Sequence, residues 1–236
     1  MHSNEFLSEY PEGSDLPVQL SPSKKARRLA LRLDVRNRAF KLVKPKYISK
    51  RRAVDFARKH ENWMREKISA LPPRIEFKDG VTLPILGQDM TLDIHMDPER
   101  KQTKITLTGS YLNVRTNKPD PTARINRFLK QEVKRTLIEL SHEKAEIINE
   151  RVNRVSVRDT TSRWGSCSPD GNLSYSWRLI FAPLEVIDYL VAHEVAHLKH
   201  LDHSPAFWTV CAGLSKNYEA GKSWIRQNGH DLMRYG

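Results

Sequence analysis

Apolar residues recur at every second position from Leu29 onward, at Leu29, Leu31, Leu33 and Val35 and again at Phe40 and Leu42. A polar Arg36-Asn37-Arg38 step separates the two runs, so the pattern predicts a β-hairpin with a largely Lys/Arg outer face. The period then changes. Ala53, Phe56, Ala57, His60, Trp63, Met64 and Ile68 recur at three and four, which predicts one amphipathic helix with Ser49 as its cap and Pro72-Pro73 as its stop. Four short alternating segments follow, Val81 to Leu86, Met90 to Met96, Lys104 to Thr108 and Tyr111 to Arg115. Gly87, Pro98 and Gly109 punctuate them, as expected of a small antiparallel sheet.

A long helical stripe begins after Asp120-Pro121 and carries Ile125, Phe128, Leu129, Val133, Leu137, Leu140, Ala145 and Ile148. Val155 and Val157 mark a strand, and residues 166 to 178 read as a hairpin that turns at Pro169-Asp170-Gly171-Asn172. Another helix opens at Pro183 and runs through Leu198, and Ser204-Pro205 begins the next one. The first 22 residues show no period and are expected to form a mobile leader, so the expected organisation is a leader (1–22), a basic β-rich region (23–118) and a second domain (119–236). The fold class is α+β.

Composition narrows the field. With 236 residues and 39% hydrophobic content the chain can build a core, and no run is long and apolar enough to span a bilayer. The start has neither a basic n-region nor an apolar h-region, and Cys167 and Cys211 are the only cysteines, so a cytoplasmic protein is expected. Charge is uneven. Seventeen Lys and Arg against four acidic residues lie between Lys24 and Lys67, a local excess of +13 in a chain whose net charge is +12. Nucleic acid is therefore a candidate partner, with Arg28, Arg32, Arg36, Arg38, Lys50, Arg51, Arg58 and Lys59 expected to face outward.

The chemistry sits on the helix opened by Pro183, which reads His193-Glu194-Val195-Ala196-His197, with His200 and His203 beyond. A chance H-E-x-x-H in a chain of this composition is expected only roughly 0.02 times. Residues four apart on a helix lie about 40° apart around its axis, so two imidazoles can converge on one metal ion while the intervening Glu sits beside it as a base. A third ligand must come from His200, Asp202 or His203. His200 would lie about 10 Å along the axis from His193. His203 precedes the turn into the next helix and is favoured over Asp202. Glu194 in an apolar stretch would be costly as an unpaired carboxylate but has partners beside a metal and its water. Arg163 is a candidate either to stabilise an oxyanion in the cleft or to pair with a carboxylate. Cys167 is expected to be a small buried residue, and Trp164, Trp177, Phe207 and Trp208 to be core around the metal helix.

The run Ser162-Arg163-Trp164-Gly165-Ser166-Cys167-Ser168, then Asn172 to Ile180, Ala182-Pro183, the H-E-x-x-H helix and His203-Ser204-Pro205-Ala206-Phe207-Trp208, closely resembles the YgjP-like metallopeptidases, relatives of SprT-like zinc proteases. The resemblance extends more weakly to residues 24 to 70 and the Gly87 segment. It implies a compact zincin-type, cytoplasmic domain with zinc on His193, His197 and His203, Glu194 as base and a peptide or protein substrate. His200 stands where metzincins place a glycine between their second and third His. A strand of the 173 to 178 hairpin, if at a sheet edge, would take an extended peptide by β-addition. The alternative reading keeps the metal and attacks a phosphoanhydride bound by the 24–67 block, and a third makes the chain a nucleic-acid-binding module with a structural metal.

Overall fold

The computed structural model describes residues 16–160 and 163–236, which form two compact units that part between Pro73 and Arg74. In the first unit, β1 (Val18–Ser23), β2 (Ala30–Asp34) and β3 (Ala39–Pro45) form a sheet in the order β1-β3-β2. The hairpin β2–β3 is as expected, with Leu31 opposite Leu42 and Leu33 opposite Phe40. Its turn is held by Asp34, whose carboxylate accepts from the Asn37 backbone and side-chain N–H groups.

The leader does not extend to residue 22. Val18 and Leu20 pair in parallel with Phe40 and Leu42, and Val18 is buried with Leu16 in the core of this unit. Pro17 and Pro22 are tolerated because β1 is an edge strand.

The expected single helix is two. α1 (Lys50–Lys59) starts at Ser49, whose hydroxyl accepts from Arg52 N–H, and α2 (Glu61–Ser69) follows after His60. The His60 N–H reaches back three residues to the Ala57 carbonyl, tightening the turn where the axis breaks. Ala53, Ala57 and Met64 are buried against Phe40 and Leu42, whereas His60 and Trp63 are exposed. Arg38, expected to face outward, instead donates to the carbonyls of Ile68, Leu71 and Pro72 and so satisfies the end of α2.

The second unit opens with β4 (Thr82–Ile85), β5 (Gln88–Met96), β6 (Lys104–Thr108) and β7 (Tyr111–Thr116) in the order β4-β5-β7-β6. This sheet is mixed, not purely antiparallel, because β7 inserts beside β5 in parallel. Burial decides the order. Leu112 and Val114 of β7 are fully buried and take the centre, whereas β6, exposed at Lys104, Thr106, Leu107 and Thr108, takes the edge.

The helix α3 (Thr122–Ile147) lays Ile125, Leu129, Val133 and Leu137 on the same core as Leu83, Leu92 and Leu112. One core therefore runs through residue 118, where the sequence pattern suggested a domain break.

A second small sheet, β8 (Arg154–Arg158), β9 (Gly165–Cys167) and β10 (Asn172–Ser176), has the order β8-β10-β9, with β10 parallel to β8 and antiparallel to β9. Gly171 takes the positive φ (72°) at the β9–β10 turn. A 3₁₀ turn over Trp177–Phe181 leads to α4 (Leu184–Ala196), α5 (Pro205–Leu214), α6 (Tyr218–Asn228) and a final 3₁₀ turn. α4 is buried on nearly every side and packs on α3, α5 and α6.

Two buried cations pin this arrangement. Lys144 of α3, 7% exposed, donates to Asp188 of α4 at 2.5 Å and to the Leu214 carbonyl at 2.6 Å. Arg178, 1% exposed, donates to the Tyr235 carbonyl at 2.6 Å and ties the C-terminus to the core. Among the described residues no helix is long and apolar enough to cross a membrane.

Candidate metal centre

The H-E-x-x-H segment falls on the last turn of α4, with His197 as its C-cap. The chain then turns, Asp202 accepts from Ser204 N–H, and the Ser204 hydroxyl accepts from Phe207 N–H to start α5 with Pro205 in its first turn. That turn returns His203 to α4. One ligand atom from each of His193, His197 and His203 lies within 4.8 Å of the others. The Nε2 atoms of His193 and His203 are 3.2 Å apart. Two nitrogens bound to one tetrahedral zinc ion at 2.0–2.1 Å are about 3.3 Å apart, so this pair fits a shared ion.

Two of the imidazoles, His193 and His197, are biased toward the neutral, ligating form. Burial, reinforced by the neighbouring histidines, pushes His193 down to about 4, and burial also lowers His197 despite its bond to a carbonyl. His197 Nδ1 donates to the His200 carbonyl at 2.9 Å, which leaves Nε2 with the lone pair. His193 Nδ1 is buried without a hydrogen-bond partner among the described residues. Phe207, fully buried, backs all three rings at 4.5–5.0 Å between centroids. Trp208 flanks His193 and His203, with Lys222 over its own face at 3.9 Å.

Glu194 is 4% exposed. Burial pushes its carboxyl up to about 8, and the charge of Arg163 pulls the other way. Its neighbour is β9: a Cβ on Gly165 would stand 2.3 Å from Glu194 Oε1 and 2.7 Å from Cδ. The carboxylate thus occupies space that only glycine leaves open.

Each sequence candidate can now be located. His193, His197 and His203 converge. Asp202 is committed to the Ser204 turn, and His200 contributes its backbone carbonyl. Arg163 is exposed, with its carbonyl accepting from the Thr160 hydroxyl. Cys167 is half-buried, and burial together with the Glu194 charge pushes its thiol up to about 11, so it stays protonated and inert. Trp177 and Phe207 are core, and Trp164 and Trp208 are partly buried against it. Ser162 lies outside the described residues.

The strand expected to accept a peptide is not at an edge: β10 is flanked by β8 and β9, and the free edge nearest Glu194 belongs to β9. Phe207 was expected as core around the metal helix, whereas Gly165 was quoted in the sequence but given no contact with the site, because nothing local to its segment reports its distance from α4.

An α+β domain that gathers three imidazoles beside a buried carboxylate has the side chains of a metal-dependent hydrolase. The chain belongs to the YgjP-like family, whose metallopeptidase domain matches residues 27–228. Among curated protein sequences none matches. A solved structure, the metallopeptidase zymogen of Pyrococcus abyssi abylysin, is similar over 42% of this chain and 97% of its own, at 21% identity and a TM-score of 0.36.

Proposed function

We propose that the protein is a zinc-dependent metallopeptidase in which His193, His197 and His203 hold the metal and Glu194 is the general base. The observation that carries this reading is the convergence of the three ligand atoms within 4.8 Å, one helical position from a buried carboxylate. Three imidazoles are a donor set for a catalytic site, since a structural site has four protein ligands, and their borderline softness suits zinc. When bound, zinc supplies Lewis-acid polarisation of the peptide carbonyl and acidifies a water molecule. Glu194 then takes the water proton on a carboxylate oxygen and delivers it to the departing amide nitrogen.

Gly165 and the burial of Glu194 fix where that proton is held. Burial holds Glu194 up to about 8 against the pull of Arg163, and a bound cation beside it would add to that pull toward the ionised carboxylate that a base must be. An extended peptide adds to the free edge of β9, which brings its backbone past Glu194. The two unpaired cysteines accord with a cytoplasmic setting.

The test compares parent and Glu194→Gln proteins, both zinc-loaded, on unfolded protein substrates and on a nucleotide panel. Peptide hydrolysis is expected to fall by about 10² to 10⁴ with zinc content kept. A variant that keeps peptide turnover, or loses only nucleotide hydrolysis, refutes the assignment.

A further inference from the structure

Among the described residues, the side of the β8–β10–β9 sheet facing away from the core is lined mostly by polar and charged side chains. Val155, Leu173 and Tyr175 point inward and are buried, so alternation sends Arg154, Ser156 and Arg158 of β8 and Ser174 of β10 outward. Ser174 is in register with Ser156 on one side and Ser166 of β9 on the other, giving a row of three hydroxyls across the sheet. This floor lies in a groove of about 740 Å³ walled by Arg154, Arg158 and Arg163. All three arginines are exposed, and none forms an ion pair among the described residues. Asp170, at the far turn, is the one carboxylate among the described lining residues. Ser156 donates its hydroxyl to the Leu173 carbonyl, so the hydroxyls of Ser166 and Ser174 and the guanidinium groups are the donors an anion would meet.

The groove adjoins the proposed cleft through one strand. Gly165 meets Glu194 on one face of β9, and Ser166 lies on the groove face. A peptide paired with β9 would continue the pleat, so its side chains would alternate between the Glu194 face and the groove face. We propose that this groove selects acidic side chains of a peptide substrate, an inference that rests on the peptidase reading. A nucleic acid is the poorer occupant, since no aromatic ring is among the described residues that line the groove.

The test uses the full-length, zinc-loaded Glu194→Gln protein and fluorescent peptides of equal length that differ only in Glu against Gln, with anisotropy as readout. The Glu peptide is expected to bind about tenfold more tightly, as two or three exposed ion pairs allow. The gap should narrow as salt rises towards about 0.15 M. Adding Arg154→Gln and Arg158→Gln should shrink it to at most the share Arg163 supplies, without changing the affinity for the Gln peptide. Equal binding of the two peptides overturns the proposal, as does a gap that the double substitution leaves undiminished. Inorganic triphosphate binding at these arginines while the Glu peptide does not bind overturns the choice of occupant. Cleavage by the parent protein is scored separately: its absence counts against the peptidase reading, whereas equal binding counts against the groove alone.

Discussion

Replacing Gly165 by alanine adds one methyl group, and the structure says where it lands. The new Cβ would sit 2.3 Å from Glu194 Oε1 and 2.7 Å from Cγ and Cδ, about 1 Å short of ordinary contact, which begins near 3.4 Å. Gly165 does not hold a positive φ, so alanine is not penalised by its backbone and the effect is steric. β9 cannot easily retreat, because Gly165 is paired with Tyr175 and Cys167 with Leu173 of the central strand. The carboxylate must move instead, by about 1 Å, and displacements of that size cost about 10² in rate. Crowding in a packed region costs a further 1–3 kcal/mol of stability, roughly.

Gly165→Ala is therefore expected to remain folded and zinc-loaded while kcat falls about 10²-fold. The assays are peptide turnover, zinc content and a thermal melt. Combining it with Glu194→Gln isolates the mechanism: if the methyl acts through the carboxylate, the double variant should be little slower than Glu194→Gln alone, since acts on one group are not additive. Parent-like turnover in Gly165→Ala would refute the reasoning, and fully additive losses would show that the methyl acts elsewhere.

The metal assignment predicts that His193→Ala, His197→Ala and His203→Ala each strip zinc, measured by elemental analysis after dialysis, while His200→Ala retains it because only the carbonyl of His200 is used. Loss of zinc from His200→Ala but not from His203→Ala would reverse the assignment. Lys144→Ala orphans the Leu214 carbonyl and parts Asp188 from its partner, so urea unfolding should show a loss of about 1–3 kcal/mol. A change within about 0.5 kcal/mol would place that pair with inconsequential surface charges. The exposed cations of the first unit, Arg28, Arg32, Arg51 and Arg58 among them, are proposed to bind nucleic acid without sequence preference. Affinity should fall about 10³- to 10⁵-fold between 50 and 200 mM salt if six to ten phosphates are contacted. An Arg28→Glu, Arg32→Glu protein that binds as the parent does would exclude this surface.

The elements legible in the sequence are those whose own residues close the argument. α3 carries its stripe at intervals of four from Ile125 to Leu137, and α5 announces itself by a serine cap and a proline. The Gly171 turn is equally local. Parallel pairing was not legible, because an alternating strand reads the same beside a parallel neighbour as beside an antiparallel one, and only burial placed β7 between β5 and β6. The stripe from Ala53 to Ile68 runs through His60 without interruption, so the break between α1 and α2 left no trace in the pattern. β1 was missed because two apolar residues between prolines make too short a pattern to register. Arg38 turned inward for a reason no charge count contains, namely the open carbonyls at the end of α2.

The same distinction between local and distant causes explains the metal centre. His193 and His197 face one point because a helix makes them do so, but His203 reaches that point only if the whole of α5 is held against α4. Ser204 fixes the start of α5, where the chain turns after His203. At the other end, Lys144 grips the Leu214 carbonyl and Asp188 of α4 with one ammonium group, so α5 is referred to the same helix that carries the other two imidazoles. Phe207, in the first turn of α5, then fills the space behind all three rings. The third imidazole is thus positioned by a cation buried far along the chain from it. The Lys144→Ala protein accordingly puts this synthesis at risk as well as the stability figure: if it loses stability yet binds zinc as tightly as the parent, α5 does not need that anchor to deliver His203.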